Sequence, residues 1–171
     1  MSQRTIAEIN SLACAEFVHV IGPVFEHSPW IAETAWKQRP FADFENLRRV
    51  LCETVKNSSA EKQLALIRAH PDLVGRAALA GTLTHESAGE QADAGLNRLP
   101  PDEIALFQKQ NAAYKNQFGF PFVICARLNK KAAILHGFER RLKNSRAQEI
   151  KTALEEIFKI AELRLRDLIA F

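Results

Sequence analysis

An all-α fold is expected of this chain on three grounds. Apolar residues recur at three- and four-residue spacing through most of its length. Capping patterns stand where several of those runs begin. No stretch alternates apolar with polar residues between turn signals, as a half-buried strand would.

The elements follow in chain order. Ser28-Pro29 reads as an N-cap followed by proline at the first helical position, opening a helix toward Gln38 that Arg39-Pro40 stops. Phe44, Leu47, Leu51 and Val55 mark one face of a second helix, and a third is expected from about Ser59 to Ala69. Pro100-Pro101 precedes Ile104, Phe107, Asn111, Tyr114 and Phe118, a run closed by Gly119. Ile134, Phe138 and Leu142 define a further helix. The last opens at Ser145, with Gln148 completing a capping box, and carries Ile150, Leu154, Ile157, Ala161, Leu165 and Leu168. No repeat, low-complexity tract or linker interrupts the series, so residues 1–171 read as a single compact multi-helix domain.

Two segments break the helical rhythm. In "HPDLVGRAALAGTLTHESAGEQADAGL" the glycines Gly75, Gly81, Gly89 and Gly95 fall among small residues. In "FGFPFVICA", residues 118–126, glycine and proline exclude a continuous helix, and the Phe, Val and Ile content suits an extended, buried segment. Such a segment has backbone N–H groups in need of acceptors. A bound anion would serve, and so would side chains and water.

Composition narrows the class. With 47% apolar and 25% charged residues the chain is that of an ordinary globular protein. Its formal charge of +3 is dispersed among interleaved acids and bases, which argues against a nucleic-acid surface. A mildly basic chain suits an anionic small substrate. Cys14, Cys52 and Cys125 are odd in number and far apart, as free thiols in a reducing compartment would be. No basic stretch precedes a long apolar run near residue 1, so no signal peptide is expected, and no apolar stretch is long enough to span a bilayer. The closing Ile169-Ala170-Phe171 is not a peroxisomal address. A cytoplasmic protein with neither nucleic-acid nor membrane partners is the expectation.

Three residues stand out. His70 ends a helix and precedes Pro71, which disfavours helical geometry and turns the ring away from the helix. A helix C-terminus also favours a protonated imidazole, so His70 is either a simple cap or a proton donor. Glu90 completes a Ser87-x-x-Glu90 capping-box pattern, and would then sit at a helix N-terminus, where anions and acceptors gather, with the amide of Gln91 beside it. Arg164 falls on or beside the inward stripe of the last helix and needs a partner, either a protein carboxylate or an anionic substrate. Arg141 borders the Ile134/Phe138/Leu142 stripe in the same way. "HESAGE" gathers His85, Glu86 and Glu90 without the H-E-x-x-H spacing, because position 89 is glycine. No metal site is expected.

"FEHSPWIAETAWKQRPF", "AHPDL", "SAGEQ", "FGFPFVICA" and "AELRLRDL" together make the chain resemble the 2-oxo-4-hydroxy-4-carboxy-5-ureidoimidazoline decarboxylase family of urate degradation, from about residue 5 to residue 168. The resemblance implies an all-helical homodimer that uses no cofactor and no metal. The implied reaction on this small ureidoimidazoline is loss of CO2 to yield (S)-allantoin. It further implies that His70, Glu90 and Arg164 are catalytic, and that Pro71, Ser87, Gln91, Phe122, Val123, Ile124, Cys125 and Ala126 meet the substrate. The chemistry asks for such groups. Loss of CO2 leaves an electron pair that must spread into the neighbouring C=N bond, and donors aimed at that charge lower the barrier. Protonation on one face then needs a fixed acid, the role the resemblance suggests for His70. Glu90 would handle the substrate hydroxyl or orient the ring, and Arg164 would hold an anionic part. A rival class is a helical binding or scaffold module in which these polar residues only cap and pair. A metal-dependent hydrolase is more remote.

Overall fold

The computed structural model describes residues 3–170. Phe171, the last residue of the C-terminal tripeptide, and residues 1 and 2 of the expected 1–171 domain lie outside the described residues. Among the described residues, ten α-helices and two short 3-10 turns account for the regular structure, with an isolated β-bridge between Arg4 and Ile169. The all-α expectation is met.

The chain divides into two compact units. One comprises the residues up to Ala69 together with those from Phe158 on; the other runs from His70 to Ile157.

The first unit contains α1 (Ile6–Ser11), α2 (Cys14–Ile21), α3 (Trp30–Trp36), α4 (Phe44–Lys56) and α5 (Ala60–Ala69). Thr5 caps α1 with a full capping box, its hydroxyl accepting from the N–H of Glu8 while the Glu8 carboxylate accepts from the N–H of Thr5. Asp43 caps α4 through the N–H of Asn46. Helix α3 begins at Trp30 with Pro29 at the cap, one position later than the Ser28-Pro29 pattern predicts, a shift within the fraying of helix ends. Ile9, Phe17, Ile21, Ile31, Leu47, Leu51 and Leu165 are wholly buried here. The connection after α3 is held by Arg39, which lies 4.0 Å over the Trp36 ring and donates to the carbonyls of Asn10 (2.8 Å) and Leu12 (2.7 Å).

The second unit contains α6 (Arg76–Leu79), α7 (His85–Asp93), α8 (Pro101–Phe118) and α9 (Lys131–Arg141). It also holds the first part of α10 (Arg146–Leu168), which ends in the first unit. Helix α8 stops at Gly119, whose φ of 79° is open to glycine at little cost. Ser145 and Gln148 form the expected reciprocal cap of α10, at 2.8 and 3.3 Å. Within 70–96, where small residues hide helical periodicity, α6 forms unannounced by the pattern, and α7 begins earlier than the Ser87 capping pattern places it. The core is aromatic. Phe122 stacks on Phe138 at 3.9 Å, and Tyr114 meets Phe122 edge-on at 5.2 Å.

Candidate functional site

The polypeptide leaves α5 at Ala69 and enters a turn, His70–Gly75, that helix geometry cannot continue. Pro71 forbids it from one side. At the other side Val74 has φ 53°, in the left-handed region that a β-branched residue rarely occupies, and the chain resumes as α6 only at Arg76. Gly75 is there because a Cβ would lie 2.5 Å from the Cβ of Asp72. His70 is buried, 7% exposed, with its Nε2 shut off from solvent. Pro71 is half-buried.

Helix α7 supplies Ser87, Glu90 and Gln91. The N-cap of this helix is Thr84, whose hydroxyl accepts from the N–H of Ser87 at 3.3 Å. Ser87 is therefore the third helical residue rather than a cap, His85 is the first helical residue rather than part of a loop, and Glu90 stands in the second turn. The Ser87–Glu90 capping box is overturned. Thr84, three residues upstream, caps the helix instead, since threonine and serine both serve as N-caps. Glu90 is therefore not the return arm of a cap and stands half-buried in the second turn of the helix.

Gln91 is buried, and both ends of its amide are turned to the His70 turn. Its Oε1 accepts from the N–H of Val74 at 3.0 Å and its Nε2 donates to the carbonyl of Asp72 at 3.5 Å. Helix α7 also packs against the 3-10 turn Ala126–Leu128, at the end of the extended segment. The second unit thus holds His70, Pro71, Ser87, Glu90, Gln91 and the residues 122–126, with α7 touching both the 72–74 backbone and the Ala126–Leu128 turn.

The extended segment is walled by protein on most sides. The Phe122 ring lies in the aromatic core, with Gly137 of α9 leaving room for it, since a Cβ there would lie 3.2 Å from its Cζ. Arg141 donates to the carbonyl of Val123 at 2.7 Å, and its guanidinium sits 4.4 Å from the centre of the Phe122 ring. The N–H of Cys125 donates to Glu156 at 2.8 Å, so this amide is already engaged by a carboxylate. Ile124 is the most exposed of the five residues 122–126. Burial pushes the Cys125 thiol up to about 11, with the charges of Glu156 and Glu90 adding to the effect. The Glu90 carboxylate is therefore near enough to the segment for its charge to be felt there.

Arg164 belongs to the first unit. Its Nη1 donates to Glu26 at 3.1 Å and to the carbonyl of Pro23 at 3.0 Å, with both side chains buried. Of the two partners open to it, the protein carboxylate is present. Arg166 points out and pairs with Glu162.

The sequence singled out neither Glu26, nor Glu156, nor the buried pair of Arg141 with Glu149. Asn111, buried on α8, was noted only as part of the apolar row. Its signal is visible in retrospect, as one amide among Phe107, Tyr114 and Phe118 on a face otherwise apolar. Among the described residues, no three His, Cys, Asp or Glu side chains gather as a metal-binding group, and no helix is long and apolar enough to cross a membrane.

The model of the OHCU decarboxylase family matches residues 10–166. The chain belongs to the OHCU decarboxylase family. Among members of that family, the 2-oxo-4-hydroxy-4-carboxy-5-ureidoimidazoline decarboxylase of Amia calva is 45% identical over 162 residues, covering 95% of this chain and 93% of its own. That of Halalkalicoccus jeotgali is 40% identical over 168 residues, covering 98% and 93%. A crystal structure of (S)-allantoin synthase superposes with a TM-score of 0.77 at 29% identity; the match covers 96% of this chain and 54% of that one, so this chain spans about half the length of that protein. As a family member the chain is a decarboxylase.

Proposed function

We propose that this chain removes CO2 from 2-oxo-4-hydroxy-4-carboxy-5-ureidoimidazoline and delivers (S)-allantoin, the third step of urate breakdown, without a cofactor. The bond from the ring carbon to the carboxylate breaks, its electron pair spreads into the adjacent C=N bond, and a proton is then added to one face. His70 donates that proton. Glu90 takes the proton of the substrate hydroxyl or orients the ring. Ser87, Gln91, Pro71 and the backbone of 122–126 line the substrate. The assignment of Arg164 to an anionic part of the substrate rests on the resemblance alone, because its guanidinium is bonded to Glu26 and Pro23. The cytoplasmic homodimer rests on the resemblance as well.

The observation that carries this reading is the state of Glu90. Family membership calls for a decarboxylase, and the one carboxylate in "SAGEQ" is not spent on a helix cap. It stands in the unit that also holds His70. A buried imidazole and a carboxylate that is not part of a helix cap suit a reaction that needs one proton removed and one returned.

The test uses the purified chain with substrate generated freshly from urate by the two upstream enzymes. Optical activity of the product is followed against the spontaneous reaction. Rapid appearance of (S)-allantoin, lost in a folded His70→Asn variant, is the expected result. Racemic product at the spontaneous rate would return the chain to the class of helical binding modules. (S)-Allantoin formed at wild-type rate by His70→Asn would leave His70 a cap.

A further inference from the structure

The turn that carries His70 is pinned from outside. It is strained at Val74, and strain of this kind persists only where the surroundings leave no alternative. Gln91 from α7 holds the backbone of Val74 and Asp72. Lys115 meets Asp72 at 2.7 Å near the surface, where such a pair contributes little. A further pin is Asn111 of α8, whose Nδ2 donates to the carbonyl of Leu73 at 2.8 Å in a buried setting.

Asn111 is a poor choice for stability. It is 4% exposed in a helix row of phenylalanine and tyrosine, and its Oδ1 is buried with no hydrogen-bond partner among the described residues. A half-satisfied buried amide is costly, and leucine has the same branched four-atom skeleton, somewhat bulkier, without the orphaned acceptor. What leucine lacks is the donor to Leu73, three residues after His70.

We propose that Asn111 is a positioning residue for His70, its bond to Leu73 fixing the turn and with it the aim of the imidazole. The proposal rests on the role given to His70 above. Gln91 and Asn111, from two different helices, grip the two sides of one peptide group, the N–H of Val74 and the carbonyl of Leu73. Removal of the Asn111 donor frees the Leu73 carbonyl and lets the strain at Val74 relax by rotating the peptide units between it and His70.

The full-length Asn111→Leu variant tests this, with wild type and His70→Asn beside it. Three quantities are read: melting temperature, kcat and KM separately, and the NMR signal and pH titration of the His70 ring, assigned by its absence from His70→Asn. The expected result is a melting temperature within about 4 °C of wild type, a kcat lowered ~10²-fold with KM little changed, and a shifted His70 signal. A folded variant whose His70 signal and kcat match wild type overturns the proposal, as does a loss of activity carried by KM with the His70 signal unmoved. If Asn111→Leu fails to fold, Asn111→Ser is read in the same way; if both fail, Asn111 is a folding residue and the proposal falls. An active His70→Asn variant would instead strike the catalytic role of His70, while the ring signal still reports whether Asn111 holds it.

Discussion

Arg141 donates its Nε to the carboxylate of Glu149 at 2.8 Å, with the two side chains 3% and 0% exposed. Tyr114 and Asn144 complete the carboxylate's set of donors, and the guanidinium's Nη1 continues to the Val123 carbonyl. A full set of hydrogen bonds is what makes a buried pair tolerable. The pair ties α9 and α10 to the extended segment, so a change in it is felt where substrate is proposed to lie.

Arg141→Met leaves Glu149 charged, buried and short of its cation. The expected loss is about 3–5 kcal/mol of folding stability, read from urea unfolding. Coupling it with Glu149→Leu recovers part of that loss, because no charge is then stranded. A single variant that loses less than about 1 kcal/mol, the scale of an exposed pair, would contradict the burial described.

Gly75→Ala tests the tightness of the His70 turn. The added methyl would stand 2.5 Å from the Asp72 Cβ and 3.1 Å from its carbonyl oxygen, so backbone must move. A cost of about 1–3 kcal/mol is expected, the range for overpacking. Turnover should fall by more than the folded fraction explains, since the movement is transmitted to His70. A neutral substitution would show that the turn is loose.

Glu90→Gln separates chemistry from helix structure. Glutamate and glutamine are equally good helix formers, and position 90 is not a cap in this fold. Stability is expected within about 0.5 kcal/mol of wild type, with turnover reduced ~10²-fold. A variant that keeps its rate would remove Glu90 from the chemistry.

The three thiols should differ in reactivity. Burial raises the pKa of Cys52, and that of Cys125 is pushed up to about 11. A raised thiol pKa keeps the group protonated at neutral pH, and the thiolate is the nucleophile. With Cys14 half-exposed and the other two buried, iodoacetamide at pH 8 is expected to modify Cys14 first, as peptide mass spectrometry would show. Modification of Cys125 ahead of Cys14 would mean that the segment opens.

Chelation addresses the cofactor. Exhaustive treatment with a strong chelator is expected to leave turnover unchanged, with metal content followed by elemental analysis. A stoichiometric metal whose removal abolishes the rate would overturn the cofactor-free mechanism.

The long helices were readable in advance because their information is local. Phe44 to Val55, Phe107 to Phe118 and Ile150 to Leu168 carry apolar residues at helical spacing, and Gly119 and the Ser145–Gln148 box mark ends by chemistry confined to one turn of chain. Pro71 likewise announced that α5 would end at His70, and Arg164 could be recognised as an inward cation from its place between positions 161 and 168. The short helices at 76–79 and 85–93 carry no such periodicity, and the capping pattern at Ser87 lies three residues past the actual N-cap, Thr84.

What remained for the tertiary structure was the choice of partners. Arg164 needed an anion, and Glu26, 138 residues away, is bonded to it. The Cys125 amide needed an acceptor, and Glu156 supplies it from 31 residues on. The Gln91 amide and the Asn111 amide each needed backbone partners, and Val74 and Leu73 of the His70 turn supply them. Periodicity and caps are properties of neighbouring residues, so the chain dictates them before it folds. A hydrogen bond between distant residues exists only once packing has excluded water and left each buried polar group to find what lies beside it.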